Sequence, residues 1–335
     1  MLASLRCYRF SLRLRSAVAG VTRRDGLFVV VGEGAQTGIG EVAVWPSFDG
    51  VSIEDVLAAL HAWDGTTDAR NKLPRALLWA LECASRPFAR SRVAVRSAVL
   101  IASDDDAHFD ARLREATVRR APAVKLKVGR GARDIEHIAR LRSALPTTEL
   151  RLDANRALDV EAAYRLHEAC RDFDVAYFEE PCATLADLAE LARRGVKLAL
   201  DESLLDAVRE SSDAVREGSD AVREGSLELL EVFPTPEAFV IKPSLLGPSG
   251  LQEIVEFAQR RGVPCIVSST FESRLGREAL AEVAARIAPA AIHGLGTADF
   301  FAEDFDTDAL QTANDIDAWL DALQAAGRIT HPPRW

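Results

Sequence analysis

Short apolar runs that end at a charged residue recur through the middle of the chain. Buried strands of parallel sheets are nearly continuous apolar runs, so each run predicts a strand that stops at a polar anchor. The anchors are, in chain order, lysine, aspartate, glutamate, aspartate and lysine. The five segments are residues 124–128 (VKLKV), 150–155 (LRLDAN), 177–181 (YFEEP), 198–203 (LALDES) and 239–243 (FVIKP).

From about residue 95 onward, such runs alternate with segments of helical periodicity. Strict alternation of strands and helices predicts a parallel sheet, and seven or eight such units favour a closed α/β barrel. An open doubly wound sheet is the alternative, but it would usually carry a glycine-rich phosphate loop after its first strand, and this sequence has none. Strands are predicted near residues 123–128, 149–153, 175–179, 197–201, 238–242, 264–269 and 290–295.

The N-terminal third of the chain has a different pattern. Residues 1–50 contain β-rich runs bounded by glycines. Helices are predicted over residues 52–63 and 74–86, and Ser52 followed by Asp55 has the pattern of a capping box. This part of the chain therefore predicts a small α+β module.

A tandem repeat interrupts the regular spacing of the anchors. Residues 206–226 consist of three heptads, DAVRESS, DAVREGS and DAVREGS. The anchors of the first three strands follow one another at intervals of 26 residues, whereas Asp201 and Lys242 are 41 residues apart, and two of the copies account for the excess. We interpret the heptads as a repeat expansion within one helix or loop of the barrel, which is tolerated because a longer surface loop carries only a small entropic cost. A partner-binding element is the alternative.

Composition excludes several classes of function. The 335 residues carry a net charge of −10, which argues against a general affinity for nucleic acid, because nucleic-acid binders carry basic patches. No stretch approaches about 18 uncharged apolar residues, so no membrane span is expected. The five cysteines are odd in number and widely spaced, which indicates neither a disulfide framework nor a zinc site and favours reduced thiols in a cytoplasmic protein.

The anchors define the candidate chemistry, because charges at the carboxyl ends of barrel strands lie where barrel active sites form. Asp153, Glu179 and Asp201 suit Mg²⁺, with Mn²⁺ as the alternative, since these hard cations prefer oxygen ligands. Lys127 and Lys242 end strands on opposite sides of the carboxylates. A lysine with a lowered pKa acts as a base, and a metal beside a substrate carboxylate stabilises the charge left when the adjacent carbon loses its proton. These residues predict proton abstraction next to the carboxylate of a small-molecule substrate, through an enediolate.

The first segment contains a lysine besides its anchor, Lys125, which needs a separate interpretation. Lys125 alternates with Lys127 along the predicted strand, so we expect the two side chains to point to opposite faces. Lys125 then turns away if Lys127 points into the site.

Taken alone, each carboxylate is as compatible with a structural role, capping the following helix or pairing with a lysine, as with a catalytic role. Three carboxylates in register with two lysines favour a catalytic site.

These segments, in this order and spacing, resemble the enolase superfamily in its muconate-lactonizing subgroup, and within it the o-succinylbenzoate synthases. The same resemblance extends to residues 22–26 (TRRDG), 38–41 (GIGE), 268–273 (SSTFES) and 294–297 (GLGT). It covers nearly the whole chain and implies an α/β fold, a modified TIM (β/α) barrel with an N-terminal α+β capping domain. The implied domains are a capping domain over residues 1–95, with residues 300–335 packing back on it, and a barrel over residues 96–299 with the heptad insertion at 206–226.

The resemblance also implies roles for individual residues. Lys127 would remove the α proton and then assist the loss of hydroxide, while Lys242 would stabilise the enediolate as a cation from the opposite face. The implied Mg²⁺ ligands are Asp153, Glu179 and Asp201. The residues implied to lie beside the metal or to bind substrate are Lys125, Arg151, Asn155, Ser268 and Ser269, together with the segments near residues 18–25 and 44–48.

The reaction implied by the resemblance is the dehydration of 2-succinyl-6-hydroxy-2,4-cyclohexadiene-1-carboxylate to o-succinylbenzoate, a carbon–oxygen lyase step of menaquinone biosynthesis. The main alternative is a racemase or epimerase of the same subgroup that acts on N-acylated amino acids or dipeptides, because two opposed lysines suit a 1,1-proton transfer equally well. Epimerases tend to carry an aspartate-rich element near the last strands, for which Asp299 is the only candidate. A catalytically inactive barrel that acts as a binding protein is a third hypothesis, which the intact set of acids and lysines disfavours. The oligomeric state is left open.

Overall fold

The computed structural model describes residues 4–18, 20–90, 93–101, 106–129, 133–217 and 227–332. The strands are β1 (Leu5–Val18), β2 (Val21–Val31), β3 (Gly38–Val42), β4 (Arg96–Ile101), β5 (Ala123–Lys127), β6 (Glu149–Asp153), β7 (Val175–Glu179), β8 (Leu198–Leu200), β9 (Ala238–Ile241), β10 (Cys265–Val267), β11 (Ile292–Gly296) and β12 (Ile329–Thr330). The helices are α1 (Pro46–Asp49), α2 (Ile53–Ala62), α3 (Thr67–Arg70), α4 (Arg75–Ala84), α5 (Asp106–Val118), α6 (Asp134–Ala144), α7 (Val160–Ala169), α8 (Leu185–Arg193), α9 (Glu202–Glu217), α10 (Leu227–Val232), α11 (Pro243–Arg261), α12 (Arg274–Ile287) and α13 (Ile316–Ala325). Short 3₁₀ turns cover Gly34–Gln36, Arg171–Phe173, Ala298–Phe300 and Ala313–Asp315.

A four-stranded antiparallel sheet forms the N-terminal part of the molecule, in the order β12-β1-β2-β3. Alternate residues of β1, including Phe10 and Leu12, are buried in the core on one face of this sheet, and the other face packs on α2 and α4. Phe10 packs with Phe305 and other aromatic residues that follow the barrel, so the C-terminal part of the chain returns to this sheet. The capping box at Ser52 is confirmed, with Asp55 as its partner at the start of α2.

Glycine allows β3 to lie directly against α4. A Cβ atom at Gly40 would overlap the carbonyl oxygen of Ala80. The close approach fixes β3, and with it the buried carboxylate of Glu41, beside the barrel helix α12.

The second sheet has eight parallel strands in the order β10-β9-β8-β7-β6-β5-β4-β11. A parallel bridge between Ser268 and Gly294, with Ser269 N donating to Gly294 O at 3.1 Å, brings the two edge strands together. The predicted modified barrel with an α+β cap is thereby confirmed. All seven strands predicted in this region are present, with ends that differ from the prediction by at most two residues, but β4 was not predicted.

Helices alternate with these strands and cover the outside of the barrel. Side chains of Asp159 and Thr184 cap α7 and α8, each accepting a hydrogen bond from a backbone N–H in the first turn. Helix α11 is kinked at Gly247, whose φ is 69°. No helix within the described residues is long and apolar enough to cross a membrane.

The heptad repeat begins in α9. This helix extends to Glu217 and therefore contains the first heptad and the start of the second. Ala207 and Val208 of the first heptad are buried, and Arg209 Nη2 donates to the carbonyl oxygen of Phe48 at 3.4 Å. The rest of the predicted insertion, residues 218–226, lies outside the described residues.

Candidate active site

The five anchors converge at the carboxyl ends of the barrel strands. Asp153 and Glu179 are the last residues of β6 and β7, and Asp201 directly follows β8. Lys127 ends β5 and Lys242 directly follows β9. In the order of the sheet, β5 and β9 lie diametrically opposite each other, with β6, β7 and β8 between them on one side. The fold therefore places a lysine on either side of three carboxylates.

Lys125 and Lys127 both point into the barrel. Lys125 Nζ lies 2.8 Å from both Asp153 Oδ2 and Glu179 Oε1, and Lys127 Nζ lies 2.5 Å from Asp153 Oδ2. The prediction that the two lysines point to opposite faces is wrong, because side chains two positions apart on a strand share a face. Lys125 is thus a third cation of the site.

Asn155 joins the same group through the loop that follows β6. Its side-chain oxygen accepts a hydrogen bond from Lys127 Nζ, and its Nδ2 donates to Glu202 Oε1 at 2.8 Å. Its φ of 44° is in the left-handed region, which asparagine tolerates better than most residues. The loop therefore turns the amide back toward Lys127, as the sequence predicted for a residue beside the site.

Lys242 forms the opposite side of the site. Its Nζ pairs with Asp201 Oδ2, and the ring centroid of Phe48 lies 5.3 Å from the same nitrogen. Phe48 belongs to α1, so the N-terminal module contributes a side chain directly above a barrel lysine.

The three carboxylates are buried, which changes their pKa values. Asp153, Glu179 and Asp201 are 0%, 1% and 5% exposed. Burial alone raises the pKa of Asp153, but the ammonium groups of Lys125 and Lys127 hold it well below its usual range. Burial, reinforced by the charge of Asp153, raises the pKa of Glu179 to about 8.

The two opposed lysines differ in their electrostatic surroundings. Burial and the neighbouring charge of Lys125 lower the pKa of Lys127, although Asp153 acts in the opposite direction. Burial also acts to lower the pKa of Lys242, but Asp201 and Glu202 outweigh it, so that this pKa is raised. Lys127 is thus the easier of the two lysines to deprotonate.

The carboxylates fit a hard divalent cation. Their donors are all oxygen atoms, which Mg²⁺ and Mn²⁺ prefer. Glu179 Oε2 is buried and accepts no hydrogen bond from any described residue, so one ligand atom is left for a cation. Within the described ranges, no three acidic, histidine or cysteine side chains form a preformed metal cluster, and the ammonium group of Lys125 lies between Asp153 and Glu179.

A cavity of about 110 Å³ opens above these groups. Lys127 and Lys242 both line it, and so do Ser268 and Ser269. The N-terminal module contributes Val18, Trp45 and Phe48, which belong to the two segments that the resemblance implied. The lining residues that had no predicted role are Ala17, Ala98, Leu100, Thr270, Phe271, Gly294, Gly296 and Thr297. A larger groove of about 660 Å³ lies between α4, α11 and α12 but contains none of the anchors, so the smaller cavity is the candidate site.

Arg151 is not part of this site. Its Nη1 donates to the carbonyl oxygen of Ile292 at 2.9 Å, and its Nε donates to Glu149 Oε1 at 2.7 Å. The prediction that Arg151 lies beside the metal is wrong, because it precedes Asp153 by two residues on the inward face and is therefore about 7 Å deeper in the barrel. Its guanidinium group closes the amino-terminal end of the barrel instead.

Four comparisons place the chain among known proteins. Residues 108–223 match a family model described as enolase C-terminal domain-like. The o-succinylbenzoate synthase of Yersinia pseudotuberculosis serotype O:3 (strain YPIII) is 32% identical over 311 residues, covering 87% of this chain and 89% of that protein. The structure of the o-succinylbenzoate synthase of Thermosynechococcus elongatus BP-1, complexed with Mg in the active site, aligns with a TM-score of 0.70 and 22% identity over 96% of this chain and 100% of that one. The L-Ala-D/L-Glu epimerase of Bacillus subtilis, in a substrate-liganded complex, aligns with a TM-score of 0.73 and 19% identity over 91% of this chain and 92% of that one.

Proposed function

The chain belongs to the o-succinylbenzoate synthase family of the enolase superfamily, and we propose that it dehydrates 2-succinyl-6-hydroxy-2,4-cyclohexadiene-1-carboxylate to o-succinylbenzoate. The observation that carries this proposal is the placement of Lys127 and Lys242 on diametrically opposite strands, on either side of three buried carboxylates and in one cavity. This arrangement suits removal of a proton from the carbon next to a carboxylate, with a cation facing the charge that develops.

Lys127 moves the proton in the proposed reaction. Its neutral Nζ takes the proton from C1 of the substrate, and the electron pair of the broken C–H bond passes into the carboxylate to give an enediolate. The pair then returns to form a C1–C6 double bond as the C6–O bond breaks. The ammonium group of Lys127 gives its proton to the departing hydroxide, which leaves as water, so atoms and charge balance and the ring becomes aromatic.

Lys242 acts in this proposal as a fixed cation. It faces the ring from the side opposite Lys127, and its ion pair with Asp201 and the ring of Phe48 favour the protonated state. Asn155 orients the Nζ of Lys127 through its side-chain oxygen. These contacts support the different tasks that we propose for Lys127 and Lys242.

We include Mg²⁺ in the proposal, with Mn²⁺ as a substitute. Its ligands would be Asp153, Glu179 and Asp201, the oxygen donors that end β6, β7 and β8. When bound, the ion supplies positive charge that stabilises the developing enediolate.

The lining of the cavity favours a lyase over an epimerase of dipeptides. A free amino group needs an acidic partner, and the described residues that line the cavity include no aspartate or glutamate. Asp299, the candidate that the sequence offered, forms ion pairs with Arg119 at 3.1 Å and with Arg112 at 3.4 Å, on the α5 side of the barrel. The opposed lysines support racemization of N-acylated amino acids equally well, so this activity is the second candidate. We also propose that the reaction serves menaquinone biosynthesis in the cytoplasm.

A dehydration assay tests the proposal directly. The purified protein with Mg²⁺ is given the cyclohexadiene carboxylate, and formation of the aromatic product is followed by absorbance. We expect turnover that both EDTA and the substitution Lys127→Ala abolish. Absence of dehydration, together with exchange of the α proton of N-acylated amino acids for deuterium, would instead support the racemase. A folded protein that binds no Mg²⁺ and catalyses neither reaction would favour a binding protein.

A further inference from the structure

The loop that follows β10 carries the wall of the cavity and is organised by one buried carboxylate. Glu272 is 2% exposed and does not line the cavity, whereas Ser268, Ser269, Thr270 and Phe271 all do. A carboxylate buried directly behind a pocket wall is in a position to fix that wall without touching what the pocket holds.

Among the described residues, four polar groups lie within hydrogen-bond distance of the Glu272 carboxylate. Its Oε2 accepts from Ser269 Oγ at 2.6 Å and from Thr270 N at 2.7 Å. Its Oε1 lies 2.5 Å from Thr270 Oγ1 and 3.0 Å from Ser244 Oγ. Ser244 Oγ and Thr270 Oγ1 also lie 2.7 Å apart, so one of these two hydroxyl groups donates to the other, and three protons in all are directed at the carboxylate.

These contacts fix the direction of the hydroxyl groups. Ser269 has a single hydroxyl proton, and it donates this proton in its hydrogen bond to Glu272 Oε2. The 2.9 Å contact between Ser269 and Thr297 is then donated by Thr297, and Ser269 Oγ also accepts from Phe271 N at 2.9 Å. Glu272 therefore orders a hydrogen-bond chain that runs through three residues of the cavity wall.

The same chain holds an aromatic side chain in an unusual conformation. Phe271 has a φ of 61°, which is rare for a bulky residue and persists only where surrounding contacts enforce it. In this conformation its ring lies 5.1 Å from the ring of Trp45 and 5.4 Å from that of Phe300. Glu272 thus maintains the contact between the barrel wall and the N-terminal module.

Further hydrogen bonds tie this loop to the N-terminal module. Arg24 Nε donates to the carbonyl oxygen of Thr270 at 3.3 Å. Glu41 accepts from Ser273 N at 2.8 Å and from Gly276 N at 3.1 Å, and so caps the first turn of α12 from another sheet. The loop is held at both ends, so loss of the Glu272 contacts changes the shape of the wall rather than unfolding it.

We propose that Glu272 is a positioning residue that sets the shape of the cavity wall and thereby the affinity for the part of the substrate that lies away from the reacting carbon. The inference rests on the proposed dehydration, in which the succinyl chain is that part. Since Glu272 acts through Ser269, Thr270 and Phe271, its loss affects binding in the ground state and the transition state equally. Such a change raises KM and leaves kcat nearly unchanged.

The substitution Glu272→Gln tests this inference in the full-length protein with saturating Mg²⁺. The amide keeps one acceptor and replaces the other with an NH₂ group, so the hydroxyl groups on that side have to turn from donating to accepting. Misdirected hydrogen bonds of this kind weaken binding by about tenfold. We expect KM and the calorimetric Kd for o-succinylbenzoate to rise about tenfold, with kcat within about threefold. The control is Glu282→Gln in α12, an exposed glutamate beside Arg86 and Arg286, which should leave both constants unchanged.

Two further measurements separate the outcomes. Ser244→Ala removes one hydrogen-bond partner of Glu272 from outside the cavity lining, and we expect a smaller rise in KM; this variant decides the question if Glu272→Gln does not fold. In the background of Ser269→Ala, Glu272→Gln should raise KM less than it does alone, because the two residues act in series. Turnover by the wild type with an unchanged KM in the Glu272 and Ser244 variants, or a fall in kcat alone, overturns the inference. Absence of turnover by the wild type overturns the proposed function itself.

Discussion

The ring of Phe48 lies over the ammonium group of Lys242, with 5.3 Å between Lys242 Nζ and the ring centroid. The two residues are nearly 200 positions apart, Phe48 in α1 of the N-terminal module and Lys242 between β9 and α11 of the barrel. Arg209 of α9 donates to the backbone carbonyl of Phe48 at 3.4 Å and so holds α1 in place above the barrel. The N-terminal module thus contributes to the charge state of a barrel lysine as well as to the closure of the cavity.

The first prediction concerns this contact. Phe48→Leu keeps an apolar side chain but removes the aromatic face. We expect kcat/KM to fall about fivefold, which corresponds to about 1 kcal/mol for a partly desolvated cation–π contact. Phe48→Tyr retains the face and is the matched control, which should stay within about twofold. Equal losses in both variants would show that side-chain shape, rather than the ring, is what matters.

The second prediction separates the roles of the two lysines. Arginine keeps the positive charge but does not lose its proton in proteins, so it replaces a cation and not a base. We expect Lys127→Arg to be as inactive as Lys127→Ala, with a rate loss of about 10²–10⁴. Lys242→Arg should retain more activity than Lys242→Ala. Steady-state assays of the four variants decide the assignment, and greater activity in Lys127→Arg than in Lys242→Arg would reverse it.

The third prediction concerns metal binding. Asp201→Asn removes the charge of one proposed ligand. We expect the Mg²⁺ affinity measured by calorimetry to fall at least about tenfold, because loss of a partner that only supports a ligand already weakens metal binding by that much. Asp68→Asn, at an exposed position in α3, serves as the control. Unchanged affinity in Asp201→Asn would remove this residue from the ligand set.

The fourth prediction concerns stability and pH. Burial raises the pKa of Glu41 from its ordinary 4.5 to about 7, although hydrogen bonds from Ser273 act in the opposite direction; Glu272 and Arg24 are the charged groups that face it. The folded state therefore holds this proton more tightly than the unfolded chain does. The resulting stabilisation is complete below pH 4.5 and is lost as the pH rises through about 7.

Denaturant unfolding at a series of pH values measures this effect. The free energy of unfolding of the wild type, relative to Glu41→Gln, should fall by about 3 kcal/mol between pH 4.5 and pH 8. Glu33→Gln, at an exposed position before β3, should show no such trend. A difference that is flat across this range would mean that Glu41 is ionised in the folded state throughout.

The fifth prediction concerns the heptad repeat. The described contacts of the repeat come from its first copy, in which Ala207 and Val208 are buried and Arg209 bonds to Phe48. We expect deletion of residues 213–226, which removes two whole copies, to leave kcat/KM within about twofold, because long surface loops are tolerated at small entropic cost. A large loss of activity or of Tm would assign the repeat a structural or partner-binding task.

Periodicity and polar anchors predicted most of the barrel from the sequence. Strands such as Glu149–Asp153 and Val175–Glu179 were located to the residue, because an apolar run that ends in a carboxylate marks both the strand and its end. β4 was missed because Ala102 and Ser103 separate its apolar run from the next charged residue, and a short apolar run alone does not distinguish a strand from a buried helix. The anchor signal therefore locates catalytic strands better than strands that only complete the barrel.

The site was predicted less evenly than the fold. Asp153, Glu179, Asp201, Lys127 and Lys242 meet as expected because equivalent ends of parallel strands lie at one rim. The errors at Lys125 and Arg151 both come from the two-residue period of strands, which places Lys125 in the site and Arg151 one layer below it. Thr297 and the Glu272 network depend on loop conformation and on contacts between distant segments, which no local pattern encodes.

The seam of the barrel has one more consequence. Within the described residues, β10 and β11 meet through the bridge between Ser268 and Gly294, while neighbouring strands elsewhere share longer ladders. A Cβ atom at Gly294 would lie 2.8 Å from Ser268 Oγ, so the volume of the cavity at the seam depends on a glycine. Substitutions here alter the wall that faces the substrate without breaking a ladder of hydrogen bonds. The shape of the cavity is therefore set in part at the seam, which lies across the barrel from β6 and β7, the strands that end in Asp153 and Glu179.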